Sequence, residues 1–357
     1  MFRESVERMT GYVPGEQPRG TKLVKLNTNE NPYPPSPKVI EAIRAAAGEG
    51  LQRYPEPSAE AFRNRAAEVL VKHNAEITPD WILCGNGSDD ILTIATRAFA
   101  DQGRAVRYPW PTYSLYKTLA EIQGVRQDRV EYEPDWSLDY AFTAPSDDVR
   151  IAYLANPNSP SGTILSPGEV AAIADAIPCP LLVDEAYVDF AETNCLDLVR
   201  TNERVLVSRT LSKSYGLAGL RFGYVVAQPQ VIAQLAKVKD SYNCDALSIA
   251  GATAAIDDQA WLADNVAKVL AERERLDAGL QAAGFVTTPS HANFVWAIHP
   301  DGQHAAIYER LKADGVLVRL IRHDGWRGGD DGIRVSVGTP EQTDALLSLL
   351  SGIMAGV

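Results

Sequence analysis

SRTLSKSYGLAGLRFG, residues Ser208–Gly223, sets one lysine, Lys213, among small hydroxyl residues and closes on Gly216, Gly219 and Arg221. A lysine taken alone reads as a solvated surface residue. Its position changes that reading. The run just before it, Arg204–Val207, is short and apolar, as expected of a strand covered on both faces. The lysine therefore follows the carboxyl end of a buried strand, where open α/β sheets bind their ligands.

Working outward, further short apolar strands are predicted at Trp81–Cys84, Ala105–Tyr108, Arg150–Leu154 and Pro180–Val183, alternating with helical patterns. Such alternation predicts an α/β fold with a mostly parallel central sheet flanked by helices. One helix opens at Ser58 and turns Phe62, Ala66, Val69 and Leu70 to one face. Near residue 240 the pattern changes. A long helix over about Ala263–Ala283, stopped at Gly284, is followed by strands near Asn293–Ile298, Val316–Leu320 and Ile333–Val337. The expected organisation is an amino-terminal arm over 1–30, a large domain over 31–240 and a smaller α/β domain over 241–357.

A chain of 357 residues, 45% hydrophobic and 22% charged, is long enough for two such cores. Its formal net charge of -12 argues against nucleic acid or an anionic membrane as partner. Cys84, Cys179, Cys195 and Cys244 show no C-x-x-C spacing, and the five histidines form no ligand motif, so no metal site is expected. The amino terminus lacks the apolar core of a signal peptide, and the run Ala246–Ile256 is too short to span a bilayer. A cytoplasmic protein is expected.

Three strand ends carry the chemistry. WILCGNGSDDIL is a strand, a glycine turn and a helix; Gly85 and Gly87 fit a dinucleotide fingerprint, but Asp90 stands where its third glycine belongs. What remains is a helix N-terminus whose backbone amides at Ser88 and Asp89 suit a single phosphate. LLVDEAYVDF puts Asp184 and Glu185 at a strand end, with Tyr187 just beyond. IAYLANPNSPSG ends its strand at Asn156. Alone, Asp184 reads as a helix cap and Asn156 as turn chemistry. Together, an amide, an acid with a phenol, and a lysine on one sheet edge form the set a pyridoxal phosphate site requires. The acid holds the pyridine nitrogen protonated, the phenol and amide face the 3′ oxygen, and the lysine forms the Schiff base.

These motifs, with NTNENP, RYPEP and IRVSVGT, resemble the fold-type-I pyridoxal-phosphate-dependent aminotransferases, and within them most of all the histidinol-phosphate aminotransferase family. The resemblance runs from MTGYVPGE to the last helix. It implies that Lys213 carries the cofactor and shuttles the proton between the substrate α-carbon and the cofactor C4′. Asp184 pairs with the pyridine nitrogen, Asn156 and Tyr187 hold the 3′ oxygen, and Tyr113 stacks on the ring. The backbone amides of Ser88 and Asp89, with Thr210, Ser212 and Arg221, form the phosphate cup. Tyr54 reaches the cofactor of a neighbouring subunit, which implies a homodimer with shared active sites. Arg334 grips the substrate's anion, Arg319 is the second such arginine, and Tyr12 belongs to a mobile arm. The loop RHDGWRGGDDG departs from the family and adds Arg322 and Arg327, leaving open which arginine assists Arg334. The implied reaction moves an amino group from histidinol phosphate to 2-oxoglutarate, giving imidazole acetol phosphate and glutamate. An aromatic amino-acid aminotransferase and a threonine-phosphate decarboxylase share the scaffold and stand as alternatives. A regulator that senses pyridoxal phosphate and binds DNA conflicts with the acidic balance.

Overall fold

The structure, a computed structural model, describes residues 1–17, 23–48, 50–71, 77–323, 325–329 and 331–355. In chain order its strands are β1 (Val24–Lys25), β2 (Ile82–Gly85), β3 (Ala105–Trp110), β4 (Arg126–Glu131), β5 (Val149–Ala155), β6 (Leu181–Asp184), β7 (Val205–Thr210) and β8 (Gly223–Val226). Then follow β9 (Val286–Thr288), β10 (Phe294–Ile298), β11 (Val316–Leu317), β12 (Arg319–Arg322) and β13 (Asp331–Ser336).

β2 through β8 form one seven-stranded sheet in the order β2-β8-β7-β6-β5-β3-β4. The pairs β7/β6, β6/β5, β5/β3 and β3/β4 are parallel, while β8 runs antiparallel to both β2 and β7. Every residue of β2, β6 and β8 is buried, as continuous apolar strands between two helical layers must be. The five strands expected here from the sequence are all present. β4 and β8 are additional. β4 reads RQDRVE and exposes half its residues at the sheet edge, so it carries no apolar run. β8 lies inside the segment read above only for its lysine. Its antiparallel course has a close approach at its start: a Cβ on Gly223 would lie 2.5 Å from the Ser88 backbone nitrogen.

Helix signals in the sequence hold locally. Ser166 and Glu169 form a reciprocal capping box at the head of helix Pro167–Ala176. Gly124, in the left-handed conformation, ends helix Leu115–Gln123. The long helix spans Gln259–Ala282 and buries Val269, Leu276 and Leu280, with Val266 and Leu270 packed beside them. Among the described residues no helix is long and apolar enough to cross a membrane.

The carboxyl-terminal strands build a second, antiparallel sheet in the order β12-β13-β10-β9, and β1 pairs in parallel with β11 beside it. Leu26 packs in this second core with Val295, Ile333 and Val335, so the chain's early residues anchor there before entering the first core. Helix Ala246–Asp257 packs instead on helices Pro37–Gly48 and Glu60–Val71 of the first core.

Candidate active site

The parallel strands point their carboxyl ends the same way, so Trp110, Ala155, Asp184 and Thr210 open onto one cleft of about 440 Å³. Tyr12, Ser88, Asp89, Tyr113, Asp184, Tyr187, Thr210, Ser212, Lys213, Arg221, Arg319 and Arg334 all line it. Residues separated by more than 300 positions meet there because the second sheet closes the cleft's far side.

At the cleft floor, Asp184 is 3% exposed. Tyr116 donates to its Oδ2 at 2.9 Å and Ser208 to its Oδ1 at 3.2 Å. Burial without a cation raises its pKa from an ordinary 3.8 to about 6, against the lowering effect of the Tyr116 hydrogen bond. The folded form therefore favours the protonated acid, and this preference is fully present below about pH 4 and lost as pH rises through about 6. Asp184→Asn is accordingly expected to stabilise the cofactor-free protein above about pH 7, by up to about 3 kcal/mol, and to change little near pH 4. Thermal denaturation at both pH values checks this. A destabilised variant at neutral pH would show that the carboxylate is already compensated.

Glu185, next in sequence, faces elsewhere. It is buried, takes Arg209 through Nε and Nη2 at 2.9 and 2.8 Å, and accepts from the Cys195 backbone at 2.5 Å. It is a structural ion pair rather than a cleft residue.

One corner of the cleft is made for an anion. Gly87, at φ +84, heads helix Ser88–Phe99, and a Cβ there would lie 2.5 Å from Arg221 Nη2. Arg221 also reaches Asp89 Oδ2 at 3.1 Å and Ser212 Oγ at 3.4 Å, while Thr210 Oγ1 accepts from the Ser212 amide at 3.1 Å. A helix N-terminus, an arginine and two hydroxyls thus converge on one point. Tyr113 closes this side and donates to Asp89 Oδ1 at 3.0 Å, with burial and then the Asp89 charge holding its phenol protonated.

Lys213 follows β7. Its Nζ lies 3.5 Å from the Thr28 carbonyl and 5.6 Å from the centre of the Tyr187 ring. The turn around it is fixed from outside: Asn31 donates to the Lys213 and Ser214 carbonyls at 3.0 and 2.9 Å. Gly216, at φ +68, passes so close to the chain that a Cβ would lie 3.0 Å from the Tyr33 carbonyl.

Opposite stands Arg334 on β13. Nη1 donates to Ser159 Oγ at 2.9 Å and Nη2 to the Asn27 carbonyl at 3.2 Å, while the buried Nε has no partner among the described residues. Arg319 is its register partner on β12. Burial lowers the Arg334 pKa, and the neighbouring Arg319 lowers it further. Two guanidiniums in one wall, with only neutral acceptors on Arg334, call for a bound anion. Of the loop arginines, Arg322 lines the cleft near Arg319, whereas Arg327 is tied to Glu133 and Asp139 at 2.9 Å, away from it. Asp324 and Asp330 of that loop lie outside the described residues.

Two expected residues are not brought to the cleft. Asn156 donates to the Leu165 carbonyl at 3.0 Å and to Cys195 Sγ at 3.7 Å, and accepts from the Leu165 amide at 2.8 Å. Its amide clamps a turn, and Asn156 is not among the residues that line the cleft, where it was expected to hold the 3′ oxygen. Ser159, in the same motif, lines the cleft instead. Tyr54 is 80% exposed and stacks on Tyr242 at 4.4 Å, outside the cleft of its own chain. Residues the sequence reading passed over include Tyr116, Asn29, Asn31 and Ser159. Asn29 and Asn31 sit inside the NTNENP motif and Ser159 inside NPNSPSG, so the motifs were visible while the roles of these residues were not, and Tyr116 lies three positions after Tyr113 in PTYSLY.

The floor carboxylate, the anion corner and the lysine between them fit pyridoxal phosphate. Asp184 lacks a cation that a protonated pyridine nitrogen would supply, and the corner beside Arg221 suits a phosphate. Fold and site together define a fold-type-I aminotransferase. The chain matches the aminotransferase class I and II family over residues 21–350. It is 52% identical to a histidinol-phosphate aminotransferase of Rhodopirellula baltica over 353 residues, covering 99% of this chain and 96% of that protein. Histidinol-phosphate aminotransferase 1 of Trichormus variabilis is 44% identical over 99% of both chains. Among solved structures, histidinol-phosphate aminotransferase of Sinorhizobium meliloti in complex with pyridoxal-5'-phosphate superimposes with a TM-score of 0.86 at 26% identity, covering 99% of this chain and 98% of that one. The chain belongs to the class I and II aminotransferases and, within them, to the histidinol-phosphate aminotransferase family.

Proposed function

We propose that this chain transfers the amino group of L-histidinol phosphate to 2-oxoglutarate with pyridoxal 5'-phosphate as cofactor, as a step of histidine biosynthesis in the cytoplasm. The observation that carries the reading is Arg334 with Arg319 beside it, a doubled guanidinium wall facing the lysine across the cleft. The family relationship supports the same substrate.

Bound there, pyridoxal phosphate supplies an aldehyde that takes up amino groups and a ring that accepts electrons from the bond being broken. Asp184 holds a negative charge for the ring nitrogen, at the cost in stability described above. Ser88, Asp89, Thr210, Ser212 and Arg221 hold the phosphate, and Tyr113 forms a flat wall. Tyr187, whose phenol takes Asn29 Nδ2 at 3.0 Å in the cleft wall, would hold the 3′ oxygen. Lys213 anchors the cofactor at rest. With the cofactor bound, its Nζ would be the base that takes up the donor's α-carbon proton and the acid that returns it. Arg334 and Arg319 fix the donor's phosphate, which orients that α-carbon hydrogen toward Lys213; in the return half they take a carboxylate of 2-oxoglutarate. Tyr12, half-exposed and edge-on to Tyr113 at 6.2 Å, covers the entrance.

The same reading makes the protein a homodimer whose sites each borrow Tyr54 from the other subunit. The exposed Tyr54–Tyr242 stack supports a covered face. It also divides the chain into an arm over 1–30, a large domain over 31–240 and a small one over 241–357, except that helix Ala246–Asp257 packs on the first core, which moves the start of the small domain past Asp257.

The test is a spectral half-reaction of the cofactor-loaded protein with histidinol phosphate, phenylalanine, threonine phosphate and glutamate in turn. Rapid loss of the visible band with histidinol phosphate and glutamate is expected. Conversion by phenylalanine but not histidinol phosphate would replace the substrate with an aromatic amino acid, and carbon dioxide release from threonine phosphate would make the enzyme a decarboxylase.

A further inference from the structure

Asn29 lies in the NTNENP turn, buried, at φ +54, a conformation asparagine tolerates better than most residues. All its polar groups are engaged, and the pattern has a direction. Its backbone amide donates to Ser336 Oγ at 2.8 Å, and Ser336 Oγ in turn meets Asn29 Oδ1 at 3.1 Å. A hydroxyl has one proton. That proton goes to Asn29 Oδ1, while a lone pair of the same Ser336 oxygen takes the backbone amide. The carboxamide oxygen is thereby pinned at Ser336, and its NH2 group is turned to the Tyr187 phenol, 3.0 Å away. The Asn29 carbonyl is held from the other side by Asn293 Nδ2 at 3.0 Å.

An amide NH2 donates and cannot accept, so the Tyr187 oxygen must be the acceptor in this contact. The phenol proton is then left to the side away from Asn29. Tyr187 lines the cleft, with Lys213 Nζ over its ring.

We propose that Asn29 is a positioning residue that sets the direction of the Tyr187 proton, so that the phenol donates into the cleft, to the cofactor's 3′ oxygen. The inference rests on the cofactor reading given above. Ser336 ends β13 and Asn293 precedes β10, both of the second sheet, whereas Tyr187 follows β6 of the first. The proton's direction therefore depends on the second sheet being seated against the first. Asn29, Ser336 and Tyr187 are far apart in sequence, which is why no local motif shows the relay.

The readout is the pH midpoint of the visible band of the cofactor-loaded protein, with no turnover involved. A phenol that donates to the 3′ oxygen favours its deprotonated form, so losing that donation raises the midpoint. Tyr187→Phe sets the full effect, about one pH unit or more for a hydrogen bond to a charged oxygen. Asn29→Ala is expected to raise the midpoint by part of that, because the phenol proton can then turn either way. Ser336→Ala, which frees the carboxamide to flip, is expected between wild type and Asn29→Ala. In a Tyr187→Phe background, Asn29→Ala should add nothing further. Asn29→Asp, whose carboxylate would pull the phenol proton out of the cleft, should exceed Asn29→Ala, and its excess should shrink without the phenol to what the added charge does directly. Unchanged midpoints in Asn29→Ala and Ser336→Ala would overturn the proposal, as would a full additive shift in the Tyr187→Phe background. If Asn29→Ala does not fold, Ser336→Ala decides alone, since it removes one hydroxyl and leaves the backbone turn. A wild-type protein with no visible band at all would instead overturn the cofactor reading.

Discussion

Lys213→Ala is expected to lose both turnover and the visible band of the loaded protein, with kcat falling by at least about 10⁴-fold. Lys213 is the only lysine among the described residues lining the cleft, so no neighbour can supply its amine. Both of its tasks, anchoring the cofactor and carrying the α-carbon proton, need a group at that one point. The fold should be indifferent to the change, because the side chain's one hydrogen bond is a long one, 3.5 Å to Thr28. A melting temperature close to wild type, together with lost turnover, separates chemistry from folding. Retained turnover would remove Lys213 from the mechanism.

Arg334→Gln is expected to lower kcat/KM for histidinol phosphate by about 10²–10³-fold, the scale of a charge-assisted, forked contact with a phosphate. Arg334→Lys should recover only part of this, since an ammonium keeps the charge and loses the fork. The decisive comparison is L-histidinol, which has the same ring and amine without the phosphate. Toward that donor, wild type and both variants should converge. An equal loss toward both donors would mean that Arg334 shapes the cleft and does not read the anion. The cofactor-free Arg334→Gln protein should melt no lower than wild type, because the substitution removes a partly buried cation whose Nε has no partner among the described residues. Stability and donor affinity should thus separate at this residue.

Much of the fold was legible because its signals are local. A strand buried on both faces must be a mostly apolar run, and β2, β3, β5, β6 and β7 each show one, interrupted in β3 by Arg107. Two strands escaped for physical reasons. β4 lies at the exposed edge and carries charges, and β8 follows the lysine turn too closely to stand out. The cofactor residues were legible because parallel strands deliver their carboxyl ends to one edge. A residue placed just past such an end, like Asp184 or Lys213, has few other places to go.

Asn156 marks where that logic stopped. Its position at a strand end was right, yet a carboxamide takes whichever partners complete its hydrogen bonds, and the Leu165 backbone and Cys195 Sγ supplied them. Three residues on, Ser159 reached the cleft and met Arg334, a contact across 175 positions. The sequence by itself determined that an acid, a phenol and a lysine share a sheet edge with an anion-binding helix N-terminus, because period and motif spacing specify strand ends. Only the tertiary structure decided which side chains turn inward and which way their protons point. Those choices are hydrogen bonds between distant segments, such as Tyr116 to Asp184, Asn29 to Tyr187 and Ser336 to Asn29, and no local pattern encodes them.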